Sequence, residues 1–306
     1  MPAYLQWIVF SIFVIGALFV DLFLLNRKAH EVKLKEALLT SSLWISLALI
    51  FNVIVYFWRG GSDAALFFTA YLVEESLSVD NLFVFIIIFK FFKVPPKFQH
   101  RVLFWGIIGA VVMRGVFITV GVVLIHKFDW IIYVFGAFLI YTAVKMAFGK
   151  EAEFNPEKNF VTRLLSKRVD NTAENEKGHF FVKTSGKIFA TPLFLALAVV
   201  EASDLVFALD SIPAVLAITS DPFIVYSSNI FAILGLRSLY FALARVMGLF
   251  AYLHYGLAIV LAFIGVKMII SHHVEIPIFV ALGAVGGTLA GSIFLSLLFP
   301  PKPGKE

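Results

Sequence analysis

The sequence predicts an all-α polytopic membrane protein of about nine transmembrane helices, and three observations carry that prediction. The 306 residues are 60% hydrophobic and only 15% charged, with a mean hydropathy of +0.93. That leaves too little polar surface for a soluble domain of this length. Nine apolar segments are long enough to cross a hydrocarbon core as helices. Nineteen of the 25 Lys and Arg fall in alternate connections between these segments, which all lie on one face of the membrane.

The predicted spans are 4–25, 38–58, 64–89, 102–125, 129–148, 190–213, 223–244, 250–270 and 276–299. The first lacks a basic n-region and is long enough to span, so it does not read as a removable signal peptide. Its Asp21 lies near one end, at interface depth. Bases then mark one face: Arg27, Lys28, Lys33 and Lys35 after span one; Lys90, Lys93, Lys97 and Arg101 after span three; eight within 149–189; Arg245; and Lys302 and Lys305. The other face has only Arg59 and Lys127. The positive-inside rule places the N-terminus outside and the C-terminus in the cytoplasm.

Spans three and six carry matched acids. One reads Glu74-Glu75-Ser76-Leu77-Ser78-Val79-Asp80-Asn81, and the other runs from Glu201 through Asp204 to Asp210-Ser211. Aligning Asp80 with Asp210 sets Glu74 opposite Asp204 and Asn81 opposite Ser211. Bases follow in the same order: Arg114 then Lys145 in one copy, Arg237 then Lys267 in the other. Each copy has three spans, an odd number, so the copies enter the membrane with opposite polarity. The reading is an inverted repeat of two three-helix units, as in secondary transporters whose substrate site lies between copies. The chain divides into an N-terminal two-helix segment (1–63), the first repeat (64–148), a flexible cytoplasmic linker (149–189), the second repeat (190–270), and a C-terminal helix and tail (271–306). In the last span Gly283, Gly287 and Gly291 form a small-residue face expected to pack closely on a neighbour.

Acids inside an apolar span are costly and mark function. Positions six apart on a straight helix differ by about 120°, whereas positions seven apart nearly share a face. Glu74 therefore groups with Asn81, and Asp204 with Ser211. Pro213 is expected to kink or open span six around Asp210, and Ser76 and Ser78 to support loosened backbone in span three. Six acids (Glu74, Glu75, Asp80, Glu201, Asp204, Asp210) face four bases, a balance that one divalent cation neutralises. Carboxylate, amide and hydroxyl oxygens suit Mg²⁺, Ca²⁺ or Mn²⁺. With no cysteine in the chain, thiolate metal sites, disulfides and redox dithiols are excluded. The expected ligands are Asp80 and Asp210 first, then Glu74, Asn81, Asp204 and Ser211, with Glu75 and Glu201 as further candidates. His272-His273 reads as an interfacial pair. Like-charged carboxylates left without a cation favour proton uptake, so exchange of metal for protons is expected.

The strings Leu77-Ser78-Val79-Asp80-Asn81-Leu82-Phe83-Val84-Phe85, Phe207-Ala208-Leu209-Asp210-Ser211-Ile212-Pro213-Ala214 and Phe231 to Phe241 resemble the TerC family of integral membrane proteins, and within it the Alx-type members. The resemblance covers most of the chain. It implies a multi-pass protein of the inner (plasma) membrane that exports Mn²⁺, in a family named for tellurium-resistance operons. Expected partners are a divalent cation (Mn²⁺ or Ca²⁺) and the bilayer, with no nucleic acid, no enzymatic activity and no resident cofactor. Two other readings compete. One is an accessory scaffold beside the secretion machinery, or one that supplies metal to exported proteins, docking through 149–189. The other is an oxyanion transporter using Arg114, Arg237, Lys145 and Lys267.

Overall fold

The structure, a computed structural model, describes residues 3–20, 32–128, 130–148, 162, 178–184, 187–246, 252–271, 274 and 276–299. Each predicted span is met there by one helix: α1 (Ala3–Val20), α2 (Leu34–Arg59), α3 (Gly61–Phe91), α4 (Pro96–Lys127), α5 (Ile131–Phe148), α6 (Pro192–Leu216), α7 (Pro222–Val246), α8 (Leu253–Ile270) and α9 (Ile278–Leu298). All but α1 and α3 are long and apolar enough by composition to cross a membrane. In α3 length is not the limit, since 31 residues reach about 46 Å. What sets it apart is its load of Asp63, Glu74, Glu75, Asp80 and Lys90. α2, α3, α4 and α7 overrun their predicted spans at both ends because interfacial residues continue the hydrogen-bond ladder, whereas α5, α8 and α9 fall within theirs. Pro96, for example, starts α4 at a position where its missing N–H costs nothing.

The central helix is α7, with 89% of its span buried, against 22% for α5 and α9 at the periphery. α3 packs on α7, α4 on α6, and α5 on α8, while α2 lies against α7 and α3, and α9 against α8 and α3. The first helix of each triplet thus meets the second helix of the other, and the third helices meet each other. Exchanging α3–α5 with α6–α8 leaves these pairings unchanged.

On the side of the molecule where α2 ends and α7 begins, an aromatic cluster joins α1, α2, α3 and α7 through Phe10, Phe51, Phe67, Phe223 and Phe231. The Phe51 and Phe231 rings lie 4.8 Å apart. Above it Arg59 grips Asp221 with two parallel bonds of 3.0 and 2.5 Å and also pairs with Asp63 at 2.9 Å. Asp221 in turn caps α7, accepting from the Phe223 and Ile224 N–H groups at 3.0 and 3.1 Å. Partial burial works against ionisation of this carboxyl, but the Arg59 fork and the two N–H groups outweigh it and hold it below its ordinary value of 3.8. Its contribution to stability is therefore complete above that value and fades as pH falls through the lower folded one. Asp221→Asn is expected to cost about 1 kcal/mol at neutral pH. The unfolding midpoints of wild type and variant in detergent should converge in acid; a gap that persists there counts against the pair.

Four expectations need correction or delimiting. Gly283, Gly287 and Gly291 make no close packing within the described residues: they are exposed, with nothing within 4 Å of an added Cβ. The buried stripe of α9 is Ala281, Val285, Leu289, Ser292 and Ser296. It lies about 200° from the glycines, two residues being 200° of helix, because the bulkier side chains fill the space beside α3 and α8. Among the described glycines, backbone meets backbone most closely between α5 and α8, where a Cβ on Gly136 would lie 2.9 Å from the Gly265 carbonyl, and one on Gly265 would lie 2.8 Å from that of Gly136. Neither acidic helix breaks: α3 runs through Ser76 and Ser78, and α6 through Pro213. Pro213 falls in the last turn, where the missing N–H forfeits one bond near the helix end, and Ser76 merely returns its hydroxyl to the Leu72 carbonyl at 2.6 Å.

The described end of the 149–189 segment forms a hairpin. β1 (Phe181–Thr184) pairs antiparallel with β2 (Lys187–Ala190), opposite Phe181↔Ala190. Thr191 then caps α6, its hydroxyl accepting from the Phe194 N–H at 3.4 Å and donating to the His179 carbonyl at 2.8 Å. Arg101 of α4 ties the hairpin down, donating to the Gly178 carbonyl at 2.6 Å and lying over the Phe180 ring. Asp21, His272-His273, the tail beyond 299 and nearly all of 149–177 lie outside the described residues.

Candidate functional site

Four helices deliver polar groups to one buried place between the two triplets. α4 carries Arg114, which is 2% exposed and the largest fully buried side chain. Its Nη1 contacts Glu74 Oε1 of α3 and donates to Asn229 Oδ1 of α7 at 3.3 Å; its Nη2 donates to Asp204 Oδ1 of α6 at 3.2 Å. Glu74 and Asn229 are fully buried and Asp204 is 4% exposed. Asn229 is oriented by its own amide, which donates to the Val225 carbonyl at 3.0 Å. The two acids that the sequence alignment matches to each other thus end on the same guanidinium.

The arrangement is incompletely satisfied. Among the described residues, Glu74 Oε2, Asp204 Oδ2 and Arg114 Nε are buried without a hydrogen-bond partner, as are the hydroxyls of Ser78 and Ser211. Buried polar atoms are seldom left so, and charged ones least of all. Asp204 also lines a narrow cleft with Arg237, walled by Phe85, Leu103 and Val200. These residues belong to the late part of α3 and α7 and the early part of α4 and α6, so the cleft lies on the basic-loop half of the molecule.

Asp210 stands apart from this junction. Asp210, six residues beyond Asp204, faces α5, where its Oδ1 accepts from Thr142 at 3.1 Å and Lys145 lies within electrostatic reach. Ser211 and Asn81 are buried, one helical turn or more from the guanidinium contacts of their own helices. The Asp80 side chain lies outside the described part. Glu75 has a buried, unpartnered Oε2, with its other oxygen 3.9 Å from a Cβ placed on Gly235. Glu201 rests on Gly109 of α4, where any Cβ would overlap its carboxylate. Lys267 leaves the acids altogether and caps the end of α6 through the Ala217 carbonyl at 3.3 Å. Among the described residues no group of three or more His, Asp or Glu converges as a metal-binding cluster. The oxygens on offer are two carboxylates with an amide.

Asn229 and Thr142 are the site residues that the sequence reading passed over. A signal existed for the first: Ser227-Ser228-Asn229 is a polar run inside an apolar span, and all three side chains are fully buried. The repeat hid it, because the position 123 residues earlier, the spacing from Arg114 to Arg237, is Gly106.

The integral membrane protein TerC family model matches residues 59–303, from the end of α2 to the C-terminal tail. The chain belongs to the TerC family. Among its relatives, an uncharacterized membrane protein of Myxococcus xanthus is 50% identical over 95% of this chain and 92% of that protein. The "Putative membrane-bound redox modulator Alx" of Salmonella typhi is 46% identical over 95% of this chain and 94% of its own length, and the protein of that name in Escherichia coli K12 matches to the same extent. No solved structure matches.

Proposed function

We propose that this TerC-family protein exports divalent cations from the cytoplasm, Mn²⁺ foremost, through the junction of Glu74 and Asp204. The observation that carries the reading is a pair of buried carboxylates, one from each triplet, each with an oxygen that nothing in the described residues satisfies. Hard oxygen donors of this kind suit Mn²⁺, Ca²⁺ or Mg²⁺. Asn229 is a further amide donor, and Asp80, Asn81, Asp210 and Ser211 are the remaining candidates along the ion's path. Helix pairings that survive exchange of α3–α5 with α6–α8 support an inverted repeat, the architecture in which one triplet rocks against the other about a central site. The small cleft beside Asp204 lies toward the basic-loop half, the cytoplasmic side if the N-terminus is outside, as the charge asymmetry of an inner-membrane protein argues.

An oxyanion route is disfavoured by the same geometry, since Arg114 is engaged by two carboxylates and an amide. The redox role in the relatives' names requires another agent in this chain, which has no cysteine. Control of a redox-active cation such as Mn²⁺ supplies one. A scaffold that serves secretion without moving ions gives the unsatisfied oxygens nothing to do.

The test is cytoplasmic manganese in cells lacking the protein, complemented with wild type, Asp80→Asn, Asp204→Asn or Asp210→Asn. Wild type should lower manganese, and Asp204→Asn should fail at normal membrane levels, with Asp80→Asn and Asp210→Asn at least impaired. An Asp204→Asn protein that lowers manganese as wild type does overturns the site.

A further inference from the structure

We propose that Arg114 is a tethered substitute for the transported cation, occupying Glu74 and Asp204 whenever the ion does not. The inference rests on the transport reading above and adds to it how the two acids are neutralised in the part of the cycle without cargo. Three observations point to it. The guanidinium bridges acids from different triplets, the position that a shared ion must take. It engages only one oxygen of each acid, and among the described residues Glu74 Oε2 and Asp204 Oδ2 have no partner, which leaves them for an incoming cation to approach. Among the described residues its own Nε makes no bond, so its hydrogen bonds come from the terminal nitrogens alone.

A purely structural arginine in such surroundings is normally used to capacity, with parallel bonds to one carboxylate. Arg59, at the molecule's edge, is bonded to Asp221 in that way. Arg114 instead divides one fork among Glu74, Asp204 and Asn229, and its three partners belong to three different helices. Each acid thus has charge compensation without complete coordination. Two carboxylates deprived of every cation would otherwise face each other in low dielectric or take up protons. With Arg114 in place that need disappears, and the ion-free protein can change its orientation with the acids neutralised by its own side chain. A divalent ion entering between Glu74 and Asp204 competes with the guanidinium for the same oxygens. The two states differ only in which cation bridges the triplets.

The test uses the purified full-length chain in proteoliposomes with Mn²⁺ as the probe, comparing wild type, Arg114→Gln and Arg114→Lys for Mn²⁺ affinity, Mn²⁺/Mn²⁺ exchange and net efflux. Removing the competitor in Arg114→Gln should tighten binding about tenfold, preserve exchange and slow net efflux at least tenfold. Lysine, a point charge without the fork, should compete less well than arginine, giving an affinity a few-fold tighter and an intermediate net rate. Wild-type net efflux should be indifferent to an imposed pH gradient. Parallel loss of binding, exchange and net flux in a folded Arg114→Gln protein overturns the inference in favour of a structural role, as does net efflux at the wild-type rate. Net efflux that follows the pH gradient also overturns it. If Arg114→Gln does not fold, Arg114→Lys decides alone: tighter binding supports the substitute, and unchanged or weaker binding refutes it. A wild-type chain that neither binds nor carries Mn²⁺ refutes the transport reading itself, and this inference with it.

Discussion

Replacing Glu74 by leucine is expected to lower the unfolding free energy by about 3–5 kcal/mol, the cost of removing one partner from a buried ion pair. Glu74 has no exposure, so in its absence the guanidinium of Arg114 is left with Asp204 and Asn229 in a buried surround. The counterpart experiment separates stability from function. Changing Glu74, Arg114 and Asp204 together to leucine removes every charge at the junction, and well-packed apolar replacements of such triads are often neutral or stabilising. The triple variant should recover most of the loss, short by about 1 kcal/mol for the Asn229 oxygen left without its donor. It should nevertheless move no Mn²⁺. Both are read from detergent unfolding curves and vesicle flux. A Glu74→Leu protein within about 1 kcal/mol of wild type contradicts the burial on which the junction depends.

That contrast explains why the acidic motif was so legible in the sequence. Nothing in helix formation or packing asks for Glu74 or Asp204, so their presence in apolar spans, in register across a repeat, stands out against the hydrophobic pattern. The spans themselves were legible for the opposite reason: length and apolarity are what the bilayer demands of any helix. Partner choice was harder to see. Helical phase put Glu74 and Asn81 on one face and Asp204 and Ser211 on another, but phase does not say which neighbour each face meets. Only the packing of α3 on α7 and α4 on α6 brings Arg114 to both acids, while Asp210 turns to Thr142 on α5. The effect of Pro213 depends on where in the helix it falls, which a local rule does not supply. In the final turn of a helix the lost bond lies near carbonyls that have no helical donor in any case.

Gly265→Val is expected to be the most disruptive change of packing, costing about 3 kcal/mol at the upper end of overpacking effects. The reason is what a new side chain would meet. Its Cβ would lie 2.8 Å from the Gly136 carbonyl oxygen, 2.9 Å from Ile140 and 3.1 Å from the Leu139 Cβ. The first of these is backbone inside a helix and cannot yield without moving α5. Gly136→Val meets the same obstacle from the other side, the Gly265 carbonyl at 2.9 Å. Since either substitution alone already forces α5 and α8 apart, the double variant should cost less than the sum of the two singles. Gly283→Ala, Gly287→Ala and Gly291→Ala are the internal control. They add a methyl where nothing lies within 4 Å, and alanine is the better helix former by about 1 kcal/mol, so no loss is expected. Unfolding of all five single variants in one detergent decides the matter: if the α9 alanines are as damaging as Gly265→Val, the close contact that fixes the third helices of the two triplets is on α9 after all.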